Sequence, residues 1–140
     1  MYTSDTDKDF FAKTARIYSA VSVFCAVFGA VYELFSHNVY SYYMIFAFVF
    51  PLLGGAIPFW ILGILRVKKL SVGLPRKLYH SGIAALTVGS TVNGILEIYG
   101  TTNALSKIYW YAGAAFLIIA IILFFSIKLQ SFRYKINSTK

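Results

Sequence analysis

The sequence is short of acids, and it has a single cysteine. Only five Asp and Glu residues occur among the 140, and the chain has just two histidines. The lone Cys25 cannot form an internal disulfide or exchange electrons as a dithiol, which excludes a disulfide-stabilised domain and a two-cysteine oxidoreductase. A Gly-rich phosphate-binding loop and a His-x-x-x-His pair are also missing. The sequence therefore lacks the common signatures of nucleotide-binding proteins and zinc proteases.

Charge of either sign is scarce, and apolar residues are abundant. The chain is 59% hydrophobic and 13% charged, whereas soluble domains average about 45–50% and about 25%. Four long apolar blocks hold the excess: residues 14–35, 42–65, 78–99 and 108–127. Each block has the roughly 20 mostly apolar residues that a spanning helix needs. The sequence therefore predicts an all-α integral membrane protein.

The predicted architecture is one four-helix transmembrane domain over residues 1–140, arranged as a small bundle. A short basic tail is expected at 128–140. Because four helices make a small bundle, we expect a homo-oligomer or a larger membrane complex. No cofactor and no metal site are predicted.

The distribution of the +8 net charge predicts the topology. If the connections alternate between sides, every Lys and Arg except Lys107 lies on the side of the two termini. Basic residues accumulate in cytoplasmic loops, so both termini are predicted to be cytoplasmic, in the plasma membrane. The bilayer is then the main partner, with anionic headgroups against the basic tail. No nucleic-acid partner is expected.

Two of the acids occupy similar positions in two similar segments. Glu33 lies in "AVYELFSHN" (30–38), and Glu97 lies in "GILEIYGTTN" (94–103). The resemblance raises the hypothesis of two tandem parallel hairpin repeats. In the predicted topology both acids end a helix on the outer side. They either share one site inside the bundle or reach separately toward the headgroups.

The third block carries a small, polar helix face that leads to Glu97. Residues at every fourth position share this face: Ser81, Ala85, Gly89, Asn93 and Glu97. Such a face favours either a close packing seam or a polar path, and the sequence leaves both open. The resulting candidate site for a substrate or ion consists of five residues: Glu97, Glu33, Asn93, His37 and Ser90.

The second block contains "PLLGGAIP", in which two prolines flank a glycine pair. Each proline removes a backbone donor and clashes with the preceding turn. The predicted helix kink or gate is formed by four residues: Pro51, Gly54, Gly55 and Pro58. The freed carbonyls of this segment must face protein or water rather than lipid.

Three functional hypotheses follow from this pattern. The first is a transporter or channel-like protein for a cation or small polar solute that uses the outer acidic pair. The second is a non-catalytic accessory, scaffold or immunity subunit of a membrane complex. The third is an enzyme that modifies a lipid or isoprenoid, and it is the weakest because polar residues are sparse. No catalytic residue is assigned.

Overall fold

The computed structural model describes residues 2–36, 39–65 and 73–137. Every regular element in these ranges is helical, and no strand occurs among them, which confirms the predicted all-α class. The helices are α1 Tyr2–Phe35, α2 Tyr42–Ile45, α3 Val49–Pro51, α4 Ile57–Ile64, α5 Gly73–Ile98 and α6 Lys107–Asn137. A π-helical segment, Leu52–Ala56, joins α3 to α4, and a 3-10 turn, Ala104–Ser106, precedes α6.

Four stretches of helix are long and apolar enough to cross a membrane: Asp9–Phe35, Tyr42–Ile64, Gly73–Ile98 and Ala104–Gln130. They match the four apolar blocks in number and order, but helix and block differ in extent. The last helix continues through the basic tail to Asn137. The segment 128–137 contains neither proline nor glycine, so nothing in it stops a helix. An apolar block marks the part suited to lipid, not the full helix.

The second span departs from regular α-helix, and Pro58 explains the departure. An α-helical carbonyl accepts from the N–H four residues later, and for Gly54 that residue is Pro58, which has no N–H. The backbone adopts a π-helical turn here, with the Ile57 N–H bonded to the Leu52 carbonyl five residues earlier. A separate turn at 46–48 divides α2 from α3.

The helices pack as a row in chain order. The second span lies against α1 on one side and α5 on the other, and α6 packs on α5. Within the described ranges α1 and α6 have no close backbone contact. Three glycines allow α5 and α6 to approach closely, because a Cβ added to any of them would lie too near the other helix. The distances are 2.8 Å from Gly82 to Leu117, 2.6 Å from Gly89 to Tyr109 and 2.6 Å from Gly113 to Leu86, each measured from the added Cβ. Small residues permit this close approach of membrane helices.

The start of the second span is inserted between α1 and α5. Met44 is 1% exposed, and an added Cβ would lie 3.1 Å from its carbonyl oxygen at Gly29 and 2.9 Å from its backbone nitrogen at Gly94. The two glycines therefore allow α2 to reach the backbones of both neighbours. We call this end of the helices, where α5 finishes, the Glu97 end, and the opposite one, where α5 begins, the His80 end.

Many large apolar side chains are exposed along the spans, including Phe24, Leu53 and Ile118. Apolar side chains on this scale need a lipid-like environment, so the four spans indicate an integral membrane protein. The proposed duplication stays a prediction. The second span is interrupted, whereas α6 is a continuous helix, so the second halves of the two hairpins differ in backbone structure.

Candidate functional site

An open cavity of about 620 Å³ lies at the Glu97 end. Its walls come from the end of α5, the connection to α6, the first turn of α6 and one residue of α2. The lining residues are Tyr43, Asn93, Leu96, Glu97, Thr101, Thr102, Asn103, Ala104, Ser106, Lys107 and Trp110. Ligand cavities usually measure about 300–1,000 Å³, so this one is large enough for a small solute.

Two local motifs hold the cavity wall in place. At the end of α5, the Thr101 N–H donates to the Leu96 carbonyl (2.9 Å) and the Gly100 N–H to the Glu97 carbonyl (3.0 Å). This is the Schellman arrangement, and Gly100 has the positive φ, +67°, that it requires. Asn103 then caps the 3-10 turn, since its Oδ1 accepts from the Leu105 N–H at 2.9 Å. Both turns are encoded locally.

Glu97 contributes a carboxylate to the cavity from the last turn of α5. Its Oε2 accepts a hydrogen bond from Ser41 Oγ at 2.6 Å, and Ser41 is 0% exposed. The Glu97 side chain itself is exposed and lines the cavity. A buried hydroxyl from the N-cap residue of α2 therefore orients an accessible carboxylate.

Asn93 lies one turn earlier and is held by its own hydrogen bonds. Its Nδ2 donates to the Gly89 carbonyl at 2.9 Å. Its Oδ1 lies 2.6 Å from Ser106 Oγ, which is also 2.7 Å from the Asn103 carbonyl. One hydroxyl hydrogen can serve only one of these two acceptors at a time. If the Asn93 amide oxygen binds a ligand, the Ser106 hydroxyl can therefore still donate to the Asn103 carbonyl.

Lys107, at the start of α6, places a positive charge on the same cavity. It is exposed, and no ion pair joins it to Glu97 in the part of the chain that the structure describes. Two aromatic rings complete the wall. Tyr43 and Trp110 meet edge to face, with ring centroids 6.2 Å apart. The cavity therefore has an anionic group, a cationic group and an aromatic surface.

The predicted site residues do not all gather here. Glu97 and Asn93 line the cavity, but Glu33 does not. Glu33 Oε1 is buried and has no hydrogen-bond partner among the described residues. His37 lies outside the described residues. The hypothesis that the two acids share a site stays a prediction, and the inserted α2 segment contacts the helix of each acid.

Ser90 acts in packing rather than on the cavity wall. It is 1% exposed, and its Oγ donates to the Tyr43 carbonyl at 2.7 Å. Where the turn at 46–48 begins, the Ala47 N–H bonds to Met44 instead of to Tyr43. The Tyr43 carbonyl therefore lacks its helical donor, and Ser90 supplies one. This part of the polar face is a packing seam that also stabilises the broken backbone of the second span.

The His80 end carries a second polar cluster, and this one is packed with aromatic rings. The Tyr79 hydroxyl donates to the Gly54 carbonyl at 2.6 Å, the carbonyl that Pro58 leaves without a donor. The Tyr18 hydroxyl lies 2.5 Å from His80 Nδ1. Tyr18 and Tyr79 are both half-buried between helices.

The four residues of the predicted kink or gate lie in or beside the π-helical segment. Pro51 and Gly55 are buried. A Cβ on Gly55 would collide with the Tyr18 ring, and one on Gly54 would lie 3.2 Å from the Ile83 side chain. The interruption of the helix is thus packed on both sides. A gating role for these residues stays a prediction.

Sequence reasoning did not include Ser41, Lys107 and Trp110 in the site. A usable signal was present for one of them. Lys107 is the only basic residue that the alternating topology assigns to the Glu97 side, and it follows an Asn103 cap that turns α6 back toward α5. Ser41 had no such signal, because its partner Glu97 is 56 residues away.

No protein-family model matches the chain, and no curated protein or solved structure is significantly similar to it. The class therefore follows from the fold alone. The four apolar helices indicate a helical integral membrane protein.

Proposed function

We propose that this protein transports a small polar solute that carries a positive charge, and that the solute enters through the cavity at the Glu97 end. The observation that supports this function best is the exposed Glu97 carboxylate on the wall of a solute-sized cavity. Glu97 lies in the last turn of a span, and an ionisable residue in a spanning segment often marks a solute or ion pathway. In the proposed topology the Glu97 end faces outward, because the basic residues lie mainly at the other end.

The chemistry of the cavity suits an ammonium group. A carboxylate oxygen of Glu97 provides charge-assisted hydrogen bonds. Trp110 and Tyr43 offer aromatic rings that attract a cation. Asn93 Oδ1 adds a neutral acceptor that Ser106 can release.

The route across the membrane requires more than one chain in this proposal. A row of four helices does not enclose a passage, since α1 and α6 make no close contact in the described ranges. A second copy would supply the missing wall. The π-helical segment between Pro51 and Pro58 is the proposed gate, because π-turns inside helices often occur at functional sites.

Flux into liposomes tests the function directly. The purified full chain is reconstituted, and uptake of protons, sodium, potassium, ethanolamine and glycerophosphoethanolamine is measured with Glu97→Gln as the test variant. We expect uptake of at least one of these solutes and a loss of about tenfold in Glu97→Gln, because the amide has no charge. No flux in any condition would overturn the proposal.

Glu33→Gln is the matched control, since it makes the same substitution at the same end of the molecule. Because Glu33 does not line the cavity, we expect its flux to stay close to that of the unmodified protein. Equal losses in the two variants would instead place both acids on one pathway, as the sequence hypothesis of a shared acidic pair requires.

A second candidate is a non-catalytic subunit of a membrane complex. One observation favours it: the polar groups of Ser90, Thr87 and Tyr79 are all hydrogen-bonded within the chain. A polar seam used in this way stabilises a scaffold and needs no solute. Copurification of a stoichiometric partner from native membranes, together with absence of flux, would favour this candidate over transport.

A further inference from the structure

We infer that the cavity at the Glu97 end recognises a zwitterion, with an ammonium group at Glu97 and an anionic oxygen at Lys107. The inference rests on the proposed function, because it concerns the same cavity, and it narrows the solute from any cation to a molecule with two opposite charges.

The first argument is the presence of both charges on one cavity. Glu97 comes from the last turn of α5, and Lys107 is the first residue of α6. Both side chains are exposed and line the cavity, yet no ion pair joins them within the described ranges. Neither charge is neutralised by the other through direct contact, so each remains available to a ligand.

The second argument is discrimination against singly charged solutes. A simple cation at Glu97 is repelled by Lys107, and a simple anion at Lys107 is repelled by Glu97. A zwitterion of the right orientation satisfies both groups at once. Like-charge repulsion thus serves as the element that rejects the wrong solutes.

The third argument is the composition of the remaining cavity wall. Trp110 and Tyr43 lie together on the cavity wall. Their ring faces attract an ammonium group and provide nothing for an anion. The connection between α5 and α6 adds hydroxyl and amide groups, among them Thr102 and Asn103, that can donate to an anionic oxygen.

Two sources could supply this chemistry. One is a free solute with an ammonium and a phosphate or carboxylate, and the other is the headgroup of a zwitterionic phospholipid. The cavity is open and lies at the end of the spans, where both are present. The recognised chemistry is the same, so the experiment separates the sources.

The soluble arm measures binding to the purified full chain in detergent. Trp60→Phe leaves Trp110 as the only tryptophan, and its fluorescence reports on the cavity. The probes are glycerophosphoethanolamine (the zwitterion), ethanolamine (the cation alone) and glycerol 3-phosphate (the anion alone). We expect the zwitterion to have a dissociation constant about tenfold lower than either single-charge probe.

The lipid arm uses native mass spectrometry of the same protein loaded with phosphatidylethanolamine or phosphatidylglycerol. Selective retention of phosphatidylethanolamine identifies the headgroup as the source, and selective binding of soluble glycerophosphoethanolamine identifies a free solute. Either result supports zwitterion recognition. Equal binding of all probes and both lipids would overturn it.

Four variants connect the preference to the two charges. In Lys107→Gln the zwitterion and the cation should bind about equally well, so the tenfold preference should be lost. In Glu97→Gln the dissociation constants of both the zwitterion and the cation should rise by about tenfold. The controls Asp9→Asn and Lys128→Gln change exposed residues of the same charge type outside the cavity and should change binding by less than about twofold. An unchanged preference in Lys107→Gln would refute the assignment of the anionic pole.

Failure of this inference can be told apart from failure of the proposed function. If ethanolamine binds as tightly as the zwitterion and Glu97→Gln still abolishes flux, transport of a cation stands and zwitterion recognition does not. If no soluble probe binds, neither lipid is retained selectively and no flux occurs, both are overturned.

Discussion

The two ends of α5 support the second span by the same means but differ in what remains accessible. At the His80 end, Tyr79 donates to the Gly54 carbonyl, and the rings of Tyr18 and Phe59 stack against His80. At the Glu97 end, Ser90 donates to the Tyr43 carbonyl, and Glu97 accepts from Ser41. In both places a side chain of α5 pairs with a polar group of the interrupted span.

The difference lies in how each cluster is covered. Aromatic rings fill the space around the Tyr79 hydrogen bond, so the polar atoms there are used for structure. The connection between α5 and α6 instead leaves an open cavity beside Glu97. Similar polar groups within spanning helices therefore have a structural role where they are enclosed and a proposed binding role where they are accessible.

The largest expected effect on stability comes from a substitution that disrupts the packed His80 end. In Gly55→Ala the new Cβ collides with the Tyr18 ring, and overpacking of this kind costs roughly 1–3 kcal/mol. Gly63→Ala is the matched control, because its Cβ would meet Phe11 at an ordinary 3.5 Å. The unfolding temperature of both variants is measured in detergent, with the labelling of Cys25 as the signal for unfolding. Equal unfolding temperatures would contradict the described packing.

The next effect concerns the donor for the carbonyl that Pro58 leaves unpaired. Tyr79→Phe should lower the free energy of unfolding by about 1 kcal/mol, the usual net value of one buried hydrogen bond. Pro58→Ala restores a backbone N–H four residues after Gly54, so Tyr79→Phe should cost less in that background. A double-mutant cycle measures this coupling. Additive losses would show that Tyr79 and Pro58 act independently.

A smaller effect is expected from the seam residue near the cavity. Ser90→Ala removes the donor to the Tyr43 carbonyl, and such hydrogen bonds between membrane helices average about 0.6 kcal/mol. Ser81→Ala is the control on the same helix, because Ser81 is exposed. Unfolding in detergent should distinguish the two, and a greater loss in Ser81→Ala would argue against the described orientation of α5.

The smallest effect on stability should come from the residue proposed to matter most for binding. Glu97 is exposed, and the amide oxygen of Glu97→Gln can still accept from Ser41 Oγ. We expect a change in unfolding free energy of less than about 0.5 kcal/mol, in contrast to the loss of flux. A destabilisation as large as that of Tyr79→Phe would give Glu97 a structural role and remove the contrast between the two ends.

Parts of the cavity could be predicted from sequence because they depend on helix periodicity. Asn93 and Glu97 are four residues apart, so any helix places them on one face. Lys107 and Trp110 joined them only through the turn at Gly100 and the cap at Asn103, which reverse the chain. These turn signals were present in the sequence but said nothing by themselves about which side chains would face each other.

The pairing of the two acids depended on an arrangement that helix periodicity does not contain. A shared site for Glu33 and Glu97 stays a prediction, because it depends on how α1 and α5 pack. Side chains of the two helices do meet, as Tyr18 and His80 show. The backbones of the two helices are separated by the start of the second span, with Met44 against Gly29 and Gly94. Glycines at both positions are consistent with close packing, but their partner could not be deduced from composition.

The sequence by itself determined the number and order of the apolar helices, because the length and hydrophobicity of a block are local properties. It also located the weak point of the second span, because a proline removes a particular backbone donor. Only the tertiary structure decided which side chain replaces that donor and which polar groups stay accessible. Those outcomes depend on contacts between residues such as Ser41 and Glu97, which are far apart in the chain and meet only when the helices pack.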